Sequence, residues 1–250
     1  MPDVRQPNDL AMTWLIARRG AVESLRDRMT VGFSTLWALG APLFIVLVVI
    51  RPQAEEIGAN AGLAVGGLLS AYLLVVGLMP SSGSIGVAAG LFAGEKDQGN
   101  LLPLLATPAS NRAIFAGKVL GAVLPALVYA VVAEATYLFE ISLFLGPATL
   151  RLLPLALSVA MVALVPAEAV LGAAVASLVS SRVRTYQSAQ LLASLAVLPI
   201  LAAFFGLVLR MEQWGPLLLL LAVASLIVLD LLLVVIGAAT WQREEVMARR

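Results

Sequence analysis

Three carboxylic acids interrupt long apolar stretches of this 250-residue chain: Glu134, Glu168 and Asp230. A charged side chain at mid-bilayer depth costs about 2.5–3.5 kcal/mol on insertion scales, so each acid is expected to face protein or water. Two interpretations stay open. The acids line a pathway for a cation, or each is protonated and hydrogen-bonded to a neighbouring helix. For a fourth acid, Glu140, the structural interpretation is favoured because it lies near the end of its apolar stretch.

Other site chemistry finds little support in the residue types. The chain has neither cysteine nor histidine, which removes thiol chemistry, the commonest neutral-pH base and the commonest metal ligand. The serines at 81, 82 and 84 have no histidine or intramembrane lysine to activate them. We therefore predict no catalytic residue, no metal site and no cofactor on this chain. The formal net charge of +1 gives no support to a nucleic-acid partner.

A phosphate-binding loop is also absent. Gly117-Lys118 is followed by Val119, and Arg112 stands where the first glycine of such a loop would be. The chain is therefore not expected to be an enzyme, and any ATP hydrolysis linked to it would occur on another polypeptide.

The acids must be positioned by membrane-spanning helices. The chain is 61% hydrophobic and 12% charged, and several of its apolar runs approach the ~20 residues that cross a bilayer. We predict an all-α membrane protein with a six-helix transmembrane domain over residues 30–241. The predicted spans are residues 30–50, 62–92, 112–139, 152–180, 187–209 and 216–240. The second is longer than a straight crossing needs, and Pro80 to Ser84 either kink it or let it run on beyond the bilayer.

Residues 1–29 precede the first span and are too polar for a cleaved leader. Within them, residues 9–27 predict an amphipathic helix lying on the membrane surface, with Asp9 as its cap. Its apolar face carries Leu10, Trp14, Ala17, Ala21 and Leu25.

Small residues such as Gly62, Gly66, Gly67 and Gly172 indicate close helix packing. The tryptophans lie mostly near span ends, which is typical of interface anchors. The four tryptophans are Trp14, Trp37, Trp214 and Trp241.

The positive residues predict the orientation. Arginine and lysine concentrate before the first span, around the second and fourth connections and in the tail at 242–250. The alternate connections carry only Arg51, Arg151 and Arg210. The positive-inside rule then places both termini and the second connection in the cytoplasm, and the chain as a multi-pass protein in the plasma (cytoplasmic, or inner) membrane.

That second connection holds a polar segment at residues 94–110, the insert. Gly99 and Asn100 favour a helix start, Pro103 fits its first turn, and Thr107-Pro108 ends it. Ser110 can then cap the third span. A short helix with exposed leucines needs cover from the chain's own helix ends, from lipid or from a groove on another protein.

One motif in the insert is specific enough to suggest a family. The residues in order are Glu95-Lys96-Asp97-x-Gly99-x-Leu101-x-Pro103-Leu104-Leu105-Ala106-Thr107-Pro108-x-Ser110, followed by Gly117-Lys118. This pattern resembles the cytoplasmic coupling segment of the ABC-2 type permeases, the membrane subunits of one class of ABC transporter that includes sodium and drug exporters. The amphipathic N-terminal helix, the six spans and the position of the insert between spans two and three also fit that family.

The resemblance implies a permease subunit, and export is the family's usual direction. It also implies two kinds of partner. One is an ATP-binding subunit, present in two copies, that holds ATP and Mg; the other is a second permease, identical or related. The resemblance further implies that the insert forms a short coupling helix in a cleft on the ATP-binding subunit. By position, the contact residues would be Glu95, Gly99, Leu101, Leu104, Leu105 and Pro108. The chain departs from the family at two positions. Family members often have Thr where this chain has Asn100, and Glu where it has Leu102. The first change keeps a capping oxygen, and the second removes a charge from the docking surface.

A different class of function stays open. An ion-coupled carrier or channel would use Glu134, Glu168 and Asp230 as titrating groups and would need no ATPase. An intramembrane enzyme is the least supported class, because no metal-ligand cluster and no activated nucleophile is visible.

Overall fold

The computed structural model describes residues 8–57, 62–95, 109–183, 185–209 and 216–241. These residues are almost entirely helical and contain no strand, which confirms the all-α fold class. Six of the described helical stretches are long and apolar enough to cross a membrane, so the chain is a multi-pass membrane protein. We number them spans 1 to 6.

The helices follow the predicted order with small shifts at their ends. The N-terminal helix is Asp9–Ser24. Span 1 is built from Arg28–Phe44, a π-helical turn Ile45–Ile50 and Arg51–Ile57, and span 2 from Gly62–Ser81, Gly83–Ala89 and a π-helical turn Gly90–Gly94. Spans 3 to 6 are Asn111–Phe144, Leu155–Ser180, Tyr186–Leu209 and Pro216–Thr240. A 3-10 turn, Pro147–Leu152, joins spans 3 and 4. We call the end of the bundle at which residues 94–110 join spans 2 and 3 the insert end.

Spans 3 and 4 form the centre of the bundle. In their most apolar stretches 61% and 67% of the residues are buried, against 28% in spans 1 and 6 and 17% in span 5. Span 3 packs against the N-terminal helix and spans 1, 2, 4 and 6, and span 4 packs against spans 2, 3, 5 and 6. Spans 1, 5 and 6 therefore present most of the chain's outward apolar surface.

Side-chain oxygens cap three helices at the insert end. Ser110 accepts from the backbone N–H of Ala113 at 3.1 Å, so the predicted cap of span 3 is confirmed. The predicted cap of the N-terminal helix is wrong: Asn8, not Asp9, accepts from the backbone N–H of Leu10 at 3.1 Å. Asp9 is already the first helical residue, which leaves the capping position to its neighbour. Asp27 caps span 1 through the backbone N–H of Thr30.

Span 2 is interrupted at Ser82, within the predicted break. Pro80 lies inside the preceding helix and has no N–H to donate to the carbonyl one turn back. The span then continues to Gly94, well beyond the break. The predicted interruption is confirmed, and a run beyond the bilayer stays a prediction.

Two adjacent glycines in span 2 have opposite surroundings. A Cβ atom on Gly66 would lie 2.1 Å from the carbonyl oxygen of Leu152, in the turn that packs back onto the span, whereas a Cβ on Gly67 would meet nothing within 4 Å. Close packing within the chain is thus confirmed for Gly66, and packing of Gly67 against a second subunit stays a prediction.

We expect Gly66→Ala to destabilise the protein by about 1–3 kcal/mol, because backbone on both sides must move to admit the methyl group. Gly67→Ala is the matched control and should be neutral or stabilising by up to about 1 kcal/mol through helix propensity. Thermal unfolding of the two purified variants in detergent checks this. Equal melting temperatures would contradict the close approach at Gly66.

Candidate functional site

A buried lysine joins spans 2 and 3 at the insert end. Lys118 is 2% exposed and pairs with Glu95, its Nζ lying 2.7 Å from the carboxylate oxygen Oε2. The same ammonium donates to the backbone carbonyl of Leu91 in the π-helical turn of span 2. A charged side chain thereby enters the backbone hydrogen-bond ladder of a neighbouring span. We call Lys118, Glu95 and the Leu91 carbonyl the junction.

Aromatic rings support the junction from one side. The Phe92 ring centroid lies 4.7 Å from the Lys118 ammonium, a distance at which the ring face attracts a cation. Phe92 in turn contacts Phe115, with centroids 5.6 Å apart, and Trp241, with centroids 6.3 Å apart. Trp241 is 4% exposed. For this tryptophan the predicted role as an interface anchor is wrong, because its ring packs inside the bundle.

Glycines on span 3 bring the N-terminal helix against the junction. A Cβ on Gly117 would lie 2.8 Å from the Thr13 carbonyl oxygen, and one on Gly121 would lie 3.0 Å from the Ala17 carbonyl oxygen. Gly20 faces Gly121 across the same crossing. Two small residues four apart on one helix allow this backbone-to-backbone contact. The N-terminal helix and the first turns of span 3 therefore pack as one unit.

The apolar face predicted for the N-terminal helix is divided between two surroundings. Ala17 and Ala21 are buried against the bundle, while Leu10, Trp14 and Leu25 are exposed. The expectation of a helix lying free on the membrane surface is therefore only partly right: its small residues pack on protein. Its large apolar residues remain available to lipid.

The structure places one of the six predicted coupling residues. Glu95 has a side chain that is 19% exposed and a carboxylate directed to Lys118. Its contact with an ATP-binding subunit stays a prediction. The other five, Gly99, Leu101, Leu104, Leu105 and Pro108, lie outside the described residues.

Lys118 is the functional candidate that the sequence reasoning missed, since it entered only as part of the family motif and among the positive residues near the second connection. A usable signal was present. The lysine directly follows one glycine of the pair Gly117 and Gly121, and this spacing marks a close helix contact. A lysine next to such a contact has little access to water.

The acid of span 4 is bound to span 2 beside the helix break. Glu168 is 1% exposed, and its Oε2 is hydrogen-bonded to the Ser81 hydroxyl. Ser81 Oγ also lies 3.0 Å from the carbonyl of Leu78. The Ser81 hydroxyl is directed at both the Glu168 carboxyl and the Leu78 carbonyl, which accept from it. Glu168 therefore links span 4 to span 2 through this hydroxyl.

The second oxygen of Glu168 is buried and has no hydrogen-bond partner in the described part of the chain. Glu168 lines a cavity of about 10 Å³ whose other walls are leucines and isoleucine from spans 2, 4, 5 and 6. That volume is about the minimum for one water molecule.

The acid of span 3 lies one helical turn further along span 2. A Cβ on Gly77 would come 2.6 Å from Glu134 Oε1 and 2.5 Å from Val165 of span 4. Since Gly77 and Ser81 are four residues apart, Glu134 and Glu168 contact successive turns of the same helix. Asp230 of span 6 is close enough to Glu168 for their charges to interact. The three acids thus surround one region of the bundle without sharing a hydrogen bond in the described residues.

Glu140 lies two turns beyond Glu134 and is also buried, at 7% exposed, with an unpaired Oε2 among the described atoms. Among the described residues, none of the four intramembrane acids forms an ion pair with a lysine or arginine.

A polar groove of about 730 Å³ opens between the N-terminal helix and spans 1, 2 and 5. Its described lining includes three acids, Glu23, Asp27 and Glu95, together with Tyr186 and Gln190 of span 5. Hydrogen bonds from the Thr30 side chain and backbone hold the pKa of Asp27 below its ordinary value, so Asp27 is anionic at neutral pH. Glu134, Glu168 and Asp230 are not among the described residues that line this groove.

We expect Glu168→Gln to change stability little, because the amide oxygen of glutamine can accept the Ser81 hydrogen bond in place of the carboxyl. Glu168→Ala should cost about 2–4 kcal/mol, since it removes this contact and enlarges the cavity. A loss of that size lowers the melting temperature of a chain this long by roughly 4–16 °C. The exposed Glu56→Ala, also in a span, serves as the control. Strong destabilisation by Glu168→Gln would instead indicate a charged Glu168.

Comparison with known proteins assigns no family or function to the chain. No family model matches the chain, and no curated protein matches it.

Proposed function

We propose that this chain is the permease subunit of an ATP-driven exporter of the ABC-2 type. ATP and Mg would be held by a separate ATP-binding subunit, present in two copies, and hydrolysis there would drive translocation through the membrane subunits. The proposal rests on the resemblance of residues 95–118 to the coupling segment of that family. The orientation, with termini and insert in the cytoplasm, follows from the distribution of positive residues.

The observation that carries the proposal is the junction. Glu95 lies at the start of the insert, and its carboxylate pairs with Lys118 of span 3. The same lysine donates to the Leu91 carbonyl and so also holds the helix that carries Glu95. A force applied to the insert by a docked partner would reach spans 2 and 3 together. The N-terminal helix would follow, because it contacts Gly117 and Gly121 beside the same lysine. A loosely tethered loop would transmit no such force.

Six spans are too few to enclose a translocation path, so we propose two permease subunits, identical or related. Spans 1 and 5 have the largest outward apolar faces beside the polar groove. A second subunit on this side would convert the open groove into a path between subunits. Closure of the ATP-binding subunits would then change access to that path.

The direct test is purification of the full chain from its native membrane, followed by identification of its partner. We expect a protein with phosphate-binding and ABC signature motifs to co-purify, and an adjacent reading frame to encode it. ATP hydrolysis by the complex in lipid nanodiscs should depend on the presence of this chain. Recovery of the chain with no nucleotide-hydrolysing partner, including after chemical cross-linking in intact membranes, would overturn the proposal.

A second candidate function is supported by the unpaired acids. Glu134, Glu168 and Asp230 each have a buried oxygen without a partner in the described residues, as expected of groups that take up a proton or cation. An ion-coupled carrier would transport without ATP. Liposomes that contain this chain alone should then transport substrate when an ion gradient is applied. Glu168→Gln and Asp230→Asn should abolish that transport.

A further inference from the structure

A second groove, lined by different spans from the polar one, has a different composition. It has a volume of about 420 Å³ and lies between spans 3, 4 and 6. Twelve described residues line it, and eleven of them are alanine, valine, leucine, isoleucine or proline; the twelfth is Asp230. The volume is within the roughly 300–1,000 Å³ of small-molecule sites. We call it the Asp230 groove.

The carboxyl of Asp230 has no partner in its surroundings. The residue is 4% exposed, and Oδ1 is buried without a hydrogen bond in the described part of the chain. None of the described lysines and arginines pairs with it. A buried acid of this kind is stabilised by a cation or must stay neutral. The nearby Glu168 adds further negative potential when either acid is ionised.

The space in front of this carboxyl is made by small residues. Ala116 of span 3 and Ala163 and Ala167 of span 4 line the groove, where larger side chains would fill it. Pro166 is also in the wall. The wall is therefore apolar except for Asp230, and no described donor side chain lines it.

We propose that the Asp230 groove binds a hydrophobic organic monocation. The positive group would lie against the Asp230 carboxylate, and the apolar body would pack on spans 3, 4 and 6. A neutral acyl chain would leave the carboxyl unpaired, and an anion would be repelled by it. A bare metal ion would need several ligands, and the described residues contain no group of three acidic, histidine or cysteine side chains that could hold one. This site does not depend on the proposed ATP-driven function.

The test uses two hydrophobic ions of matched shape and opposite charge, tetraphenylphosphonium and tetraphenylborate. Equilibrium binding of each is measured on the intact chain purified in detergent, with its partners if they co-purify. We expect saturable binding of the cation and at least tenfold weaker binding of the anion. Asp230→Asn should weaken cation binding at least tenfold. Ala163→Leu should do the same by filling the groove while leaving the carboxyl in place.

Two matched variants control for general effects. Glu140→Gln neutralises another buried acid, and Ala156→Leu adds the same side chain on an exposed face of span 4 outside the groove. Both should bind the cation as the unmodified chain does. Equal binding of cation and anion would indicate a lipid-filled groove and overturn the proposal. Unchanged cation affinity in a folded Asp230→Asn or Ala163→Leu variant would also overturn it, and melting temperatures establish which variants are folded.

Discussion

Replacing Glu95 by alanine is expected to destabilise the protein by about 3–5 kcal/mol, because it leaves the Lys118 ammonium buried without a counter-charge. Lys118 is 2% exposed, whereas the Glu95 side chain is 19% exposed. Lys118→Met should therefore cost less, about 1–3 kcal/mol, since the remaining carboxylate can turn towards water. The double variant should be more stable than Glu95→Ala alone. Melting temperatures and chemical unfolding of the four proteins give the coupling energy.

The exposed pair Arg51 and Glu55 provides the control for this cycle. Its side chains are 54% and 69% exposed, and the atoms are 3.2 Å apart. Glu55→Ala should cost no more than about 0.5 kcal/mol. If Glu95→Ala were as mild as Glu55→Ala, the junction would not hold spans 2 and 3 together, and the mechanical argument for the insert would lose its basis.

Introducing glutamate at both Leu104 and Leu105 is expected to release the ATP-binding subunit that we propose as a partner. These leucines lie outside the described residues, so the expectation rests on the sequence of the insert. Charged side chains in the centre of a docked apolar helix lose contact area and are desolvated without a partner. We expect co-purification of the ATP-binding subunit to fall at least tenfold, with the permease still present in the membrane at its usual level.

Leu102→Glu is a stringent control for that pair. It places the same charge two residues earlier, at the position where the resembled family often has glutamate. Co-purification should survive this change. Loss of the partner in Leu102→Glu as well would show that any charge in the insert is disruptive, and retention of the partner in the Leu104 and Leu105 variant would place the docking surface elsewhere.

Much of the fold could be predicted because long apolar runs are a strong and local signal. The six spans, the interruption of span 2 near Pro80 and the Ser110 cap depend on residues that are neighbours in sequence. These features needed no knowledge of which helices pack together.

The site could be predicted only in part because its contacts join distant residues. The burial of Lys118 depends on the N-terminal helix covering one side and Phe92 the other. Trp241 was expected at an interface because its type and position suggest one, yet Phe92 provides a packing partner inside. The Asp230 groove likewise arises from three spans, and no single one of them predicts it.

The contact of the N-terminal helix with Gly117 and Gly121 restricts how the protein can move. Backbones that touch over two turns cannot roll about their own axes or slide past each other without collision. The transport cycle that we propose must then move this helix and the first turns of span 3 as a single body. Since the native chain has no cysteine, two spin labels placed on that body should keep one constant separation in every state, while a label on span 5 changes its distance to both.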